Sequence, residues 1–142
     1  MIATALDDLP TPPCAKLLGW RPLDADVEKG WIKIAFEGRP EFCNPAGFIQ
    51  GGFLAAMLDD TMGPAAFIHT KGALYTVTID LHVTYLGAAR PGPIVGEACV
   101  TQLGKTIAFI EGALSDSTGR AIARASTSAR LVEAGKALTA SS

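Results

Sequence analysis

An α+β architecture, one long helix wrapped by a curved antiparallel sheet of about five strands, is predicted by three observations. Residues 51 to 62 are apolar around most of the circumference of a helix, Asp59 and Asp60 apart, so such a helix needs cover on nearly every side. Beyond Gly72 the hydrophobic period changes from helical to two, which is the signature of strands. Turn residues then separate further strand-like runs closely enough for hairpins, and hairpins make a sheet antiparallel.

The elements follow in order. The 142 residues fit one domain over 1–142, with 1–13 and 133–142 expected as loose tails. Pro12-Pro13 opens a short helix from Cys14 to Leu18, closed by Gly19. Gly30 to Glu37 is aromatic and β-branched enough for a strand. The long helix runs from Gly51 to about Met62, where Gly63-Pro64 is expected to end or kink it before one further turn, Ala65 to His69. In the next strand Tyr75, Val77, Ile79, Leu81, Val83 and Tyr85 share one apolar face, with Thr76, Thr78, Asp80, His82 and Thr84 opposite. Three more strands are read at Ile94 to Leu103, Thr106 to Ser115 and Arg120 to Val132.

Composition removes several functions. The chain is 49% hydrophobic and 18% charged with a net charge of -2, and no Lys/Arg cluster is present. That argues against a nucleic-acid or anionic-membrane partner. The N-terminus lacks the basic and apolar regions of a secretory signal, and no apolar run reaches the length of a membrane span. Cys14, Cys43 and Cys99 are odd in number and far apart, which disfavours a disulfide framework or zinc site. The expected location is a reducing cytoplasm.

Gln50-Gly51-Gly52 at the start of the long helix is where chemistry concentrates. A helix N-terminus carries unpaired N–H groups and partial positive charge, and glycine lets a substrate oxygen approach the backbone. The stretch therefore suits polarising a carbonyl; the plainer reading is a tight loop-to-helix turn. Asp59 and Asp60 sit inside the same apolar helix. A buried carboxylate is costly unless paired or used, so at least one of them is expected at a cleft or interface, and the cost of burial is read as selecting Asp59 over Asp60. Asp59 lies about 12 Å along the helix from Gly51, too far for both to touch one carbonyl. Two antiparallel helices across a two-fold axis would bring Gly51 of one subunit to Asp59 of the other.

These residues carry a family resemblance. Asn44-x-x-Gly47-x-x-Gln50-Gly51-Gly52 followed by Asp59 and Gly63, VTIDLHVTYLGAARPG, and GRAIARASTSARLV together resemble the phenylacetate-degradation (PaaI-type) hotdog thioesterases over roughly residues 30 to 132. The resemblance implies the hotdog fold, a homodimer or homotetramer with sites at the dimer interface, an acyl-CoA substrate, and no metal or redox cofactor. It further implies that Asp59 activates water or attacks the thioester, and that the Gly51 amide polarises the carbonyl, with Gly52 beside it. Asn44 would position the nucleophile, and Thr78 would stand near the acid. Gln50 occupies the place of a family histidine and keeps a neutral donor. Arg90 is read either as a partner for a CoA phosphate or as an exposed loop arginine. His69 is read as capping or solvated and His82 as structural. The expected activity is acyl-CoA thioester hydrolysis. The alternatives are a non-catalytic acyl-CoA-binding module, which needs no Asp59, and a hotdog dehydratase or hydratase, against which Gln50 argues.

Overall fold

The computed structural model describes residues 3–139. Six strands and one long helix dominate them. The helix α2 (Gly51–His69) lies against an antiparallel sheet of β1 (Arg21–Asp26), β2 (Trp31–Gly38), β3 (Leu74–Tyr85), β4 (Gly92–Leu103), β5 (Ile107–Asp116) and β6 (Ala121–Glu133). Spatial order is β1-β2-β4-β5-β6-β3, so β1 and β3 are the edges. Short helices α1 (Pro13–Leu18) and α3 (Ala134–Thr139) flank this body, and Thr4 caps a 3-10 turn at Ala5–Asp8 through a reciprocal bond with Asp7. Thus α3 stands where a loose tail was expected. Residues 1–2 and 140–142 of the expected tails lie outside the described residues.

Packing explains the arrangement. Met57, Leu58, Met62 and Ile68 of α2 meet Ile32, Ile34, Ile94, Ile110, Leu114 and Ile122 of the sheet, all essentially inaccessible to solvent. Each such side chain contributes about 1.5–3 kcal/mol relative to exposure. Glycine brings the sheet close to the helix: a Cβ on Gly112 would lie 2.9 Å from the Met62 side chain, and one on Gly63 would lie 3.1 Å from Thr76 Oγ1. Cover is not complete, however. Gly52, Ala56 and Asp59 remain exposed, and their spacing of four and three residues places them on one stripe of α2.

Three expectations need correction. First, of the two outcomes expected at Gly63-Pro64 an end is excluded: α2 continues through the expected further turn to His69, with Pro64 inside it. A proline there has no N–H for the carbonyl four residues earlier, that of Asp60. The indole Nε1 of Trp20 donates to that carbonyl instead, at 3.0 Å. Second, β1 is a sixth strand. Pro22 and three acidic or basic neighbours hide it, but an edge strand tolerates proline and this one bulges between Pro22 and Asp24. Third, β3 has no single apolar face. Thr78 pairs with Ala129 and Asp80 with Ser128, leaving Ile79 as an extra residue in a bulge. Before it, Tyr75 and Val77 point away from the core and are 41% and 49% exposed; after it, Leu81 and Val83 pack against the core. No helix among the described residues is long and apolar enough to cross a membrane.

Candidate active site

Asp59 sits on the exposed stripe of α2, and its Oδ1 accepts a hydrogen bond from Thr78 Oγ1 at 2.8 Å. Thr78 is the last residue of β3 before the bulge, so the strand edge delivers its hydroxyl to the acid. Asp60 differs in environment. It is half-buried, and its Oδ2 is shielded from solvent without a hydrogen-bond partner among the described residues. Burial, and secondly the charge of Asp59, push its carboxyl up to about 7. An acid is raised in this way because its charged form is the one that loses hydration. Burial therefore marks Asp60 and not Asp59, a correction to the expectation that cost of burial would single out Asp59. What distinguishes Asp59 is its partner hydroxyl and open access.

At the helix start, Gln50 is the N-cap residue but its side chain makes no capping bond and is exposed. The first helical N–H with a backbone acceptor among the described residues is that of Phe53, on the Gln50 carbonyl at 3.0 Å. The N–H groups of Gly51 and Gly52 precede it and are uncapped by side chains. The two glycines differ. A Cβ on Gly51 would lie 3.0 Å from Tyr85 Cζ, whereas one on Gly52 would meet nothing within 4 Å. Gly51 is thus packed against the tyrosine ring, whereas the space a side chain would fill at Gly52 is open. Gly52 also lies nearly on the same side of α2 as Asp59, since seven residues turn through about 700°.

The remaining residues fall into place around this line. Asn44 Oδ1 accepts from Ala46 N at 2.9 Å and Phe48 N at 3.2 Å, and so shapes the loop leading to α2. Gly47 makes the turn at a φ of +87°, a region glycine enters freely. Arg90 stacks over the Phe48 ring, 5.3 Å from its centroid, at a groove shared with Ser117 and Arg120. Arg120 is held by Asp116 at 3.1 Å and by the Ala88 carbonyl. The Thr118 hydroxyl, with backbone and Arg120 donors behind it, brings the Asp116 carboxyl down to about 2. His69 Nδ1 pairs with the Val27 carbonyl at 2.9 Å, a structural contact. His82 stands apart, exposed on β3 beyond the bulge. No cluster of three or more His, Cys, Asp or Glu side chains among the described residues is placed to hold a metal ion. Sequence reasoning missed Tyr85, whose hydroxyl donates to the Gly51 carbonyl at 2.7 Å; in the sequence it reads only as the last apolar residue of a strand.

A helix lying on a curved antiparallel sheet, with an open helix start and a hydroxyl-paired acid two turns on, defines a hotdog protein of the thioesterase type. The thioesterase superfamily model matches residues 46–123, and the chain belongs to that family. A phenylacetic acid degradation-related protein of Ralstonia eutropha is similar in structure, with a TM-score of 0.83 at 28% identity, covering 89% of this chain and 95% of its own. A Saccharolobus solfataricus protein with a provisional esterase designation is 29% identical over 100 residues, 70% of this chain and 71% of its own. A Streptococcus mutans protein bound to acetyl-CoA shares the fold with a TM-score of 0.72 at 16% identity, covering 80% of this chain and 89% of its own.

Proposed function

We propose that the protein hydrolyses the thioester of an acyl- or aryl-CoA to the free acid and CoA. The observation that carries the reading is the Thr78–Asp59 hydrogen bond at 2.8 Å, on the same exposed stripe of α2 as Gly52, whose amide is uncapped. In this reading the uncapped amides of Gly51 and Gly52 hold the thioester oxygen as it gains negative charge. Asp59, oriented by the Thr78 hydroxyl, takes the proton from an attacking water. Gln50 offers its exposed carboxamide as a further donor, and Asn44 fixes the loop beside it. Arg90 answers a CoA phosphate. The relative bound to acetyl-CoA supports the choice of acyl carrier.

The helix start and Asp59 are about 10–12 Å apart along α2, so each site draws on two subunits of a homodimer or dimer of dimers. Two features support this assembly. The exposed stripe Gly52, Ala56 and Asp59 carries side chains small enough for a second α2 to approach, and β3 is a sheet edge with exposed Tyr75, Val77 and Ile79, a form that invites pairing. Thiol release from a panel of short-chain, long-chain and arylacetyl CoA esters tests the function. Turnover of at least one ester, abolished with Asp59→Asn, is the expected result; no release from any ester would refute it.

A further inference from the structure

Tyr85 occupies a position that the hydrolytic reading leaves without a task. Its hydroxyl donates to the Gly51 carbonyl at 2.7 Å, and its ring lies against the Gly51 backbone so closely that a Cβ there would stand 3.0 Å from Cζ and 3.1 Å from the phenolic oxygen. The Gly51 carbonyl and the Gly52 N–H belong to one planar peptide group. A donor on the oxygen of an amide draws electron density from its nitrogen and makes the N–H a stronger donor in turn. The N–H so strengthened stands at the helix start, where no backbone acceptor or side-chain cap among the described residues meets it.

We propose that Tyr85 is a positioning residue for the Gly52 amide. Its hydroxyl polarises the Gly51–Gly52 peptide, and its ring fixes the plane in which the Gly52 N–H lies. The bulge at Ile79 makes this possible, because it turns Tyr85 toward α2. The inference rests on the thioesterase reading for the identity of the oxygen that Gly52 meets, but not for the peptide polarisation itself. Strengthening of a hydrogen bond by such a relay is about 10–30%, and an oxyanion donor is worth about 10²–10³ in kcat. Loss of the hydroxyl should therefore lower kcat about twofold to eightfold and leave KM unchanged.

Two readouts separate this from a structural role. In ¹⁵N-labelled protein, Tyr85→Phe should move the Gly52 amide proton upfield with the thermal midpoint nearly unchanged. Replacement of Tyr85 by 3-fluorotyrosine, a stronger hydrogen-bond donor of almost the same shape, should move it downfield and raise kcat. An unmoved Gly52 amide in both proteins would overturn the proposal. So would unchanged kcat in both on an ester that the native protein hydrolyses. If no CoA ester is hydrolysed, the thioesterase reading fails while the amide shift still decides the role of Tyr85.

Discussion

Thr78 and Tyr85 stand seven residues apart on β3, yet both reach α2: one binds Asp59 at 2.8 Å, the other the Gly51 carbonyl at 2.7 Å. An odd separation puts two residues on opposite faces of a regular strand. The extra residue at Ile79 restores parity. One strand thereby ties down both ends of the candidate site, the acid and the helix start. The bulge also makes β3 polar toward the helix before Ile79 and apolar toward it afterwards.

The two glycines at the helix start should respond oppositely to alanine. Gly51→Ala drives a methyl into the Tyr85 ring, and overpacking of this kind costs about 1–3 kcal/mol. Gly52→Ala meets open space, and a helical Gly→Ala change at a compatible site stabilises by about 0.4–1 kcal/mol. Urea denaturation measures both. Turnover should fall with Gly52→Ala despite its greater stability, since the methyl crowds the uncapped amide.

Trp20 and Pro64 should be coupled, because the indole serves the carbonyl that the proline cannot. Trp20→Phe leaves the Asp60 carbonyl without its donor, at a cost of about 1–3 kcal/mol for an unsatisfied buried group. In a Pro64→Ala background residue 64 supplies an N–H, so the same Trp20→Phe change should cost measurably less. Additive costs across the double-mutant cycle would show that the indole bond is incidental.

Much of this was legible beforehand and some was not, for identifiable reasons. The long helix and the four strands after it follow from periodicity, which is local in sequence, and the closeness of Thr78 to Asp59, 19 positions apart, is implied only by the family resemblance. The bulge at Ile79 is invisible because it exists only in the register with β6. The passage of α2 through Pro64 depends on Trp20, 44 positions earlier (64 minus 20). The reversed burial of Asp59 and Asp60 depends on which side of α2 the sheet leaves open, and no helical period states that.

Asp60 makes stability depend on pH. Its carboxyl rises from 3.8 to about 7 on folding, so between those values the folded state binds more protons than the unfolded one. The contribution is fully present below pH 4 and is lost as pH rises through 7. Asp60→Asn should flatten the fall in thermal midpoint between pH 5 and 8. Asp116 acts in another window: lowered to about 2, it contributes above pH 4 and loses its effect toward pH 2. A midpoint at pH 8 that Asp60→Asn leaves untouched would contradict the assignment.

A second α2 against the exposed stripe can be tested at Ala56, which is solvent-exposed in one subunit. Ala56→Arg should give a folded monomer by light scattering and circular dichroism, with turnover lost although Asp59, Thr78 and the helix start are intact. A fully active monomer would rule out a site shared between subunits.

The central claim is that Asp59, exposed and bonded to Thr78, drives thioester hydrolysis while its half-buried neighbour Asp60 does not. The direct measurement is kcat for thiol release from the best CoA ester by the native protein, Asp59→Asn and Asp60→Asn, each verified as folded. Asp59→Asn should lose at least about a hundredfold, the scale of a missing general base, and Asp60→Asn should lose far less. Equal losses from the two substitutions, or full activity with Asp59→Asn, would contradict the account.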